Sequence, residues 1–330
     1  MAKLPLAELH CHLEGAALPA LVEAQAKKYR ADVSAIIKDG RYVWHDFSSF
    51  LDAYATAAAL FRTADDYALL TETYLVSIAA EGAIYSEFFV SPVPPFNPDL
   101  APEAYLEGTI EGLRRAEARI GIVCRLILTG IRHAGPDAVE AAARFAVANR
   151  SQYLTGFGLA GEERMHHPRD FARAFDIARD GGLRLTAHAG EMVGAESVRA
   201  ALDHLQVERI GHGVRAIEDA SLVARLAEEG IVLECCPGSN IALKVFPDFA
   251  SHPYPALRKA GVRVTLSSDD PPYFWTSLAN EHAIARNHFG LSDADLLKDT
   301  RTALEAAFVE DETRALLLAI VDAHPVTNPD

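Results

Sequence analysis

The amino-acid sequence predicts an α/β fold, and within that class a (β/α)₈ TIM barrel with a helical insertion after strand 1 and C-terminal helices. Eight short runs rich in β-forming residues recur along the chain, and amphipathic segments of helical length separate the later runs. Several of these helical segments end in glycine just before the next strand, which is the order of a parallel βα repeat. A length of 330 residues is ordinary for one barrel, although eight strands could also form an open doubly wound sheet.

The predicted strands are short and evenly distributed after the first interval. They lie at residues 7–10, 85–90, 122–128, 153–159, 183–188, 209–211, 231–234 and 262–267. The helical segments between the later strands lie at residues 136–148, 168–179, 195–205, 218–229 and 252–259. Beyond the eighth strand, closing helices are predicted at residues 277–288, 293–308 and 313–323.

The interval between the first two strands, residues 18–82, is much longer than the others. Apolar residues recur at helical spacing in 47–61 and 67–80, so we expect a helical, lid-like insertion over one mouth of the barrel. No Ser/Gly linker, charge block or internal repeat divides the sequence. Residues 1–330 are therefore expected to form one barrel domain that includes this insertion.

The composition restricts the class of partner. The sequence contains 31 lysines and arginines against 46 aspartates and glutamates, a formal net charge of −15. This charge repels phosphate backbones and anionic membranes, so neither nucleic acid nor a membrane is expected as a partner. The sequence has no apolar run of signal-peptide or membrane-spanning length, and its four cysteines are too few for a disulfide framework. We expect a cytoplasmic protein, and its oligomeric state remains open.

Ionisable residues gather at the ends of the predicted strands. In a barrel these ends converge on the carboxyl-terminal face, where active sites lie. Two histidines, His10 and His12, are two residues apart on a strand and so project from the same face. Together with a third histidine and a carboxylate they suit Zn²⁺ or a similar divalent ion with an open position for water. The full set of strand-end residues is His10, His12, His188, His212, Asp269 and Asp270.

The remaining histidines, including His133, lack such a setting and are expected to be surface or packing residues.

Five motifs in the same order as these strand ends resemble the adenosine deaminase family of the amidohydrolase superfamily. They are ELHCHLEG at residues 8–15, LAG at 159–161, HAGE at 188–191, RIGHG at 209–213 and SDDP at 268–271.

The resemblance implies a (β/α)₈ barrel with one zinc ion per subunit and hydrolytic deamination of a 6-aminopurine. The predicted metal ligands are His10, His12, His188 and Asp269. The predicted catalytic residues are Glu191, His212 and Asp270. The predicted substrate-binding residues are His12, Glu14, Gly161 and Asp270. The fourth predicted strand contains no lysine that could bridge a second metal ion, which favours a mononuclear site.

The chemistry explains the residue types in this set. A zinc ion lowers the pKa of bound water from about 15.7 to about 7, so hydroxide formed at the metal can attack C6. Attack also requires the ring to accept electron density at N1, which a protonated Glu191 permits by donating a proton there. His212 is suited to orient the water and accept its proton, and Asp270 to assist proton transfer to the leaving amine.

The substrate expected from the resemblance is adenosine or 2′-deoxyadenosine, giving inosine or 2′-deoxyinosine and ammonia. Two positions depart from the adenosine pattern: Glu14 and Gly158 each stand where aspartate is usual. These residues resemble the adenine deaminases, whereas Ala160, Gly161 and the stretch 274–281 look like the adenosine branch. Deamination of adenine to hypoxanthine, or of a modified adenosine, is the alternative. A metal-dependent phosphoesterase and a noncatalytic purine-binding protein are more distant rivals.

Overall fold

A computed structural model describes residues 3–93, 96 and 98–325 of the chain. Two strands in this part of the chain form a small antiparallel hairpin, and eight form a parallel sheet in which each strand pairs with the next along the chain. The strands are β1 Leu6–Glu8, β2 Ile37–Lys38, β3 Arg41–Tyr42, β4 Ala83–Val90, β5 Val123–Ile131, β6 Leu154–Ala160, β7 Arg184–Ala189, β8 Arg209–His212, β9 Val232–Cys235 and β10 Arg263–Leu266.

The eight-stranded sheet, β1 and β4–β10, closes through residues just beyond the ends of its first and last strands. The amide of His12 donates to the carbonyl of Asp269, and the amide of Asp269 donates to the carbonyl of His10, each over 3.0 Å. Backbone closure therefore brings His10, His12 and Asp269 together before any side-chain contact is considered. The predicted (β/α)₈ barrel is confirmed, and the open doubly wound sheet is not adopted.

The predicted helices are present with small differences at their ends, and two further helices, at residues 102–120 and 237–242, were not predicted. The helices are α1 Pro19–Tyr29, α2 Phe47–Ala58, α3 Ala64–Glu81, α4 Pro102–Ile120, α5 Pro136–Ala148, α6 Ala172–Asp180, α7 Ala195–Leu205, α8 Ala220–Glu229, α9 Pro237–Ala242, α10 Tyr254–Lys259, α11 Leu278–Phe289, α12 Asp293–Ala306 and α13 Asp311–Asp322.

Two of these differences lie at the start of α6 and at the end of α12. The segment predicted as a helix over residues 168–179 begins with the 3₁₀ turn Pro168–Phe171 before α6. Helix α12 ends at Ala306, short of the predicted 308, because the amide of Phe308 donates to the Glu87 carboxylate inside the barrel over 2.6 Å. Among the described residues, no helix combines the length and apolar character needed to cross a membrane.

Residues 18–82 contain helices α1, α2 and α3 and also the β2–β3 hairpin, which the helical pattern did not predict. Helix α3 packs closely along α4. The backbones of Gly108 and Gly112 approach Ala64 and Ala68 so closely that a Cβ at either glycine would lie within 2.5 Å of a backbone oxygen. Helix α3 thus occupies the layer around the barrel, whereas α2 lines the cavity at the carboxyl-terminal mouth.

Candidate metal and catalytic site

The carboxyl-terminal ends of the barrel strands carry the predicted ionisable residues into one buried cluster. Two of them, His212 (φ 59°) and Asp269 (φ 65°), have left-handed backbone conformations, which are uncommon for residues other than glycine. Such conformations cost free energy and persist where the surrounding structure holds them, commonly at functional sites. Here they turn the chain sharply at the ends of two strands.

Four of the predicted side chains have the geometry of a metal site. The Nε2 atoms of His12 and His188 lie 3.1 Å apart, and Oδ1 of Asp269 lies 3.4 Å from His12 Nε2 and 3.5 Å from His10 Nε2. Ligand atoms about 2.0–2.1 Å from a tetrahedral zinc ion are about 3.3–3.4 Å from one another. Buried His10 Nε2 makes no hydrogen bond to any residue that the structure describes. The donor set and its spacing therefore fit a divalent ion.

Two of these side chains are held by further hydrogen bonds. The Glu234 carboxylate lies 2.8 Å from His10 Nδ1, which leaves His10 Nε2 directed at the cluster. Ser239 donates its hydroxyl to Asp269 Oδ2 over 2.7 Å, so the other carboxylate oxygen faces the histidines. Carboxylates and hydroxyls in this position orient metal ligands and increase their basicity.

A second group of potential metal ligands, His10, His212, Cys236 and Asp269, overlaps the first. The Cys236 thiol in this group already donates to the backbone carbonyl of Glu234 over 3.5 Å. Burial lowers the pKa of His12 to about 4, which keeps that imidazole neutral and able to bind a cation. The first group, which contains His12 and His188, is the better metal site.

The carboxyl group of Glu191 lies beside this cluster, with Oε2 3.6 Å from His212 Nε2. Burial, and then the negative charge of Asp269, raise the pKa of Glu191 well above its usual range. Burial lowers the pKa of His212 to about 3, so its imidazole is neutral. The pair therefore combines a carboxyl group shifted toward its protonated form with an imidazole in its neutral form, the starting states of a proton donor and a proton acceptor.

Asp270 is the third predicted catalytic residue, and it also lines the cavity. Burial, and then the charges of Asp269 and Glu191, raise the pKa of Asp270 well above its usual range. Its Oδ1 atom and Oε1 of Glu191 are both buried without a hydrogen-bond partner in the described part of the chain. Two unpaired polar atoms at one cavity are available to a polar ligand.

Gly161 lies at the end of β6 and lines the same cavity. Its backbone has φ +98°, and a Cβ there would approach His133 Nδ1 to 2.8 Å, so the position requires glycine. His133 itself lines the cavity after the end of β5. His133 is exposed, as expected of a surface residue, but it does have a strand-end setting, because β5 extends to Ile131 and not to 128.

Glu14, the remaining predicted substrate-binding residue, lies behind the cavity wall. Its carboxylate accepts hydrogen bonds from the hydroxyls of Tyr105 over 2.8 Å and Tyr67 over 3.3 Å. Burial raises the pKa of Glu14 to about 7. The structure thus places Glu14 among tyrosines near Asp270, and not among the described residues that line the cavity.

The cavity has a volume of about 430 Å³ and two unlike sides. The polar side is formed by the strand-end residues, and the apolar side was not assigned from the sequence because it comes from distant segments. The apolar side chains are Phe47, Phe50, Leu51, Tyr54, Phe96, Ile131, Leu243 and Phe274. The supporting carboxylate of Glu234 was also missed. A single acid inside the apolar strand run 231–236 was the signal that could have identified it.

Known proteins are similar to this chain over nearly its whole length. A family model described as Adenosine deaminase matches residues 5–324. The chain belongs to the adenosine deaminase family. An adenine deaminase of Chelativorans sp. (strain BNC1) is 61% identical over 313 residues, covering 95% of this chain and 96% of that protein. The crystal structure of adenine deaminase from Arthrobacter aurescens superposes with a TM-score of 0.90 at 31% identity, covering 97% and 98% of the two chains.

A second similar structure, that of an amidohydrolase, contains bound zinc. An amidohydrolase from Burkholderia ambifaria, solved with bound Zn, matches with a TM-score of 0.86 at 28% identity, covering 97% of this chain and 93% of that one. The resemblance drawn from the motifs is confirmed, and the chain is a deaminase-family hydrolase that acts on C–N bonds. Its His/Asp cluster is a possible metal site.

Proposed function

We propose that this chain hydrolytically deaminates adenine to hypoxanthine and ammonia, using one zinc ion held by His10, His12, His188 and Asp269. One observation carries the proposal: the Glu191 carboxyl, whose pKa burial raises, lies 3.6 Å from His212 Nε2 and beside a cluster with the spacing of zinc ligands. When bound, the ion supplies the Lewis acidity that makes water nucleophilic near neutral pH.

The protein side chains account for the proton transfers. As the water oxygen bonds to C6, His212 accepts a proton from that water and Glu191 gives its own proton to N1, so the N1–C6 double bond becomes single. The C6–N6 bond then breaks, while the proton of the new C6 hydroxyl reaches the departing nitrogen through Asp270. The proton on His212 then returns to Glu191, whose Oε2 lies 3.6 Å from His212 Nε2, so both groups regain their starting states. Water has been consumed, ammonia has left and a 6-oxo purine remains.

The purine is held by groups on both sides of the cavity. We propose that the backbone amide of Gly161 and the Asp270 carboxyl contact ring nitrogens and that His12 borders the reacting carbon. Asp270 and Glu191 present polar atoms without partners in the described chain, which a purine ring can satisfy. Glu14 would act from behind the wall, by holding Tyr67 and Tyr105.

The choice of adenine over adenosine reverses the order expected from the motifs. Several relatives at 58–61% identity are named adenine deaminases, as is the structure with a TM-score of 0.90. Adenosine remains the second candidate, because the cavity continues beyond the ionisable groups to the aromatic wall of α2.

We further propose that residues 18–82 contribute the lid of this cavity. Helix α2 supplies the wall residues Phe47, Phe50, Leu51 and Tyr54 and lies at the barrel mouth. Covering the ring would exclude bulk water and strengthen the electrostatic interactions on which proton transfer depends.

A substrate panel tests the function. Zinc-loaded protein is incubated with adenine, adenosine, 2′-deoxyadenosine and AMP, and the loss of the 6-amino group is followed by absorbance and by ammonia release. We expect kcat/KM for adenine to exceed that for adenosine by at least about 10²-fold, the discrimination that polar contacts with a substrate provide. The reverse order would favour the nucleoside, and no deamination of any member would refute the proposed activity.

Metal analysis tests the ligand set independently of turnover. His12→Ala should lose most of its zinc, whereas His45→Ala, which removes a histidine outside the cluster, should retain it. Full zinc occupancy in the His12 variant would contradict the assignment.

A further inference from the structure

The carboxylate of Glu163 binds the loop that carries Glu191. Four consecutive backbone amides donate to it: Gly190 over 2.5 Å, Glu191 over 3.1 Å, Met192 over 2.7 Å and Val193 over 2.9 Å. The hydroxyl of Ser197, in the first turn of α7, also donates to it over 2.6 Å. One side chain therefore satisfies five donors, four from the loop after β7 and one from α7.

Glu163 belongs to a different loop from the residues it holds. It follows β6 and lies two residues after Gly161, and only 6% of its surface is exposed. Successive backbone amides that converge on one point form a binding site for an anion, and the amino terminus of α7 adds its dipole. A carboxylate of the protein fills that site, so the loops after β6 and β7 are joined at a fixed separation.

We propose that Glu163 is a positioning residue that fixes the Glu191 carboxyl relative to N1 of the purine. This inference rests on the proposed function, in which Gly161 and Glu191 contact the same ring. Because Glu163 bonds the amide of Glu191 itself and those on both sides of it, the acid cannot shift unless several of these bonds break. Glu163 does not line the cavity, so it acts through Glu191 and not on the substrate.

The substitution Glu163→Gln tests the inference because an amide keeps the size of the side chain but replaces one acceptor oxygen by a donor. That donor would face backbone N–H groups, so the loop must move. Misplacement of a catalytic group by about 1 Å can cost about 10²-fold in rate. We expect kcat for adenine to fall about 10²-fold, KM to change less than about threefold, and zinc content to remain that of the parent protein.

Two matched variants accompany it. Glu162→Gln makes the same chemical change one residue earlier, in a side chain that hydrogen-bonds Arg164 and not the amides of residues 190–193, and it should keep the parent kcat. Glu163→Asp keeps the carboxylate on a shorter side chain and should recover part of the lost kcat. If Glu163→Gln keeps the parent kcat, or changes kcat no more than Glu162→Gln, the inference is wrong.

A double-mutant cycle separates positioning from a general structural effect. In a Glu191→Gln background the group being positioned is gone, so Glu163→Gln should reduce the residual rate less than about threefold. Equal losses in the two backgrounds would show that Glu163 acts elsewhere and would overturn the proposal. If the parent enzyme prefers adenosine, the same cycle is measured on adenosine.

Hydrogen exchange provides a readout that needs no activity. Amides 190–193 should exchange faster in Glu163→Gln than in the parent protein or in Glu162→Gln. If Glu163→Gln does not fold, Ser197→Ala replaces it: that variant removes one of the five donors and should raise exchange at the same amides more weakly. Unchanged exchange would overturn the proposal, whereas failure of the whole substrate panel with faster exchange would refute only the proposed function.

Discussion

The two ends of this barrel bury acidic groups in opposite ways. At the amino-terminal end of β8, the guanidinium of Arg209 donates to Glu87 over 2.5 Å, to Glu234 over 2.7 Å and to the Ala306 carbonyl over 3.0 Å. At the carboxyl-terminal end, Glu191 and Asp270 are buried with no ion pair to lysine or arginine among the described residues.

The difference appears in the direction of the pKa shifts. Burial alone would raise the pKa of Glu234, but the charge of Arg209 and the contact with His10 hold it below its usual value. No lysine or arginine pairs with Glu191 or Asp270 in the described part of the chain, and burial raises the pKa values of both well above the usual range. The compensated carboxylate of Glu234 holds His10, a proposed metal ligand, whereas the uncompensated carboxyls have the raised pKa values that the proposed proton transfers require.

The largest effect is expected at the uncompensated end, in Glu191→Gln. The variant keeps the shape of the side chain but cannot donate a proton to N1, so we expect kcat to fall about 10³–10⁴-fold with zinc content unchanged. Steady-state kinetics with metal analysis checks this. Glu196→Gln, on the exposed face of α7, is the control and should keep the parent rate. A near-normal rate in the Glu191 variant would place the proton donor elsewhere.

At the compensated end, Arg209→Met should reduce stability and not primarily chemistry. It leaves Glu87 and Glu234 as buried carboxylates without their cation, a loss of about 3–5 kcal/mol in the free energy of unfolding. The matched control is Arg263→Met, which breaks the half-exposed ion pair with Glu305 and should cost at most about 1 kcal/mol. Urea unfolding of the zinc-loaded variants measures both. Equal losses would mean that burial does not distinguish the two pairs.

The position of Asp270 can be changed without altering its charge. In Gly15→Ala the new Cβ would lie 1.7 Å from Asp270 Oδ1, so the carboxyl must move. We expect kcat to fall about 10²-fold, the cost of displacing a catalytic group by about 1 Å. Kinetics together with zinc analysis and a melting curve separates displacement from unfolding. Unchanged kcat in a folded, zinc-loaded variant would show that the exact place of Asp270 is unimportant.

Much of the fold and site could be predicted from local pattern. Alternating or apolar runs locate the strands, and a strand end is a local property, so the sequence alone assigns His10, His12, His188 and Asp269 to one face. The barrel then brings them together because its carboxyl ends converge.

Other features depend on contacts that no local pattern records. Glu163 is one of several polar residues in the loop after β6, and its role comes from amides 27–30 residues further along the chain. To predict that His133 lies at a strand end, the sequence would have had to show where β5 ends, which is three residues beyond the predicted position. The β2–β3 hairpin has only two residues in each strand, too few for a period to be recognised.

Glu281 extends the comparison to a buried acid outside the cavity. Its carboxyl accepts hydrogen bonds from the amide of Gly238 and the hydroxyl of Thr276. Burial raises the pKa of Glu281 to about 8. Between about pH 4.5 and pH 8 the unfolded chain loses this proton while the folded chain keeps it. The free energy of unfolding should therefore decrease with rising pH, by about 1.4 kcal/mol per unit for this group.

The variant Glu281→Gln should remove that contribution, because the amide is neutral at every pH. The difference in unfolding free energy between variant and parent should then shift in favour of the variant as the pH rises from 4.5 to 8. Urea unfolding at four pH values measures this difference. A difference that does not change with pH would show that Glu281 is ionised in the folded protein.

The smallest effect is expected at the rim, where the insertion contacts the loop that follows Asp270. Trp44 and Trp275, the only two tryptophans in the sequence, stack with ring centroids 5.3 Å apart. Trp44 Nε1 donates to the Tyr273 carbonyl over 2.9 Å, and Trp275 Nε1 donates to the Tyr42 carbonyl over 3.2 Å. These reciprocal bonds join the proposed lid to the strand-end loop, so tryptophan emission reports directly on that contact.

If the lid closes on the ligand, hypoxanthine should move the emission to shorter wavelength, because Trp275 is 52% exposed in the free protein and would lose water contact. Trp275→Phe keeps an aromatic ring but removes one hydrogen bond, worth about 1 kcal/mol, so KM should rise about fivefold with kcat little changed. A larger fall in kcat than rise in KM would mean that the rim positions catalytic groups. Unchanged emission on saturation would show that the lid is already closed, and α2 would then be a fixed wall of the site.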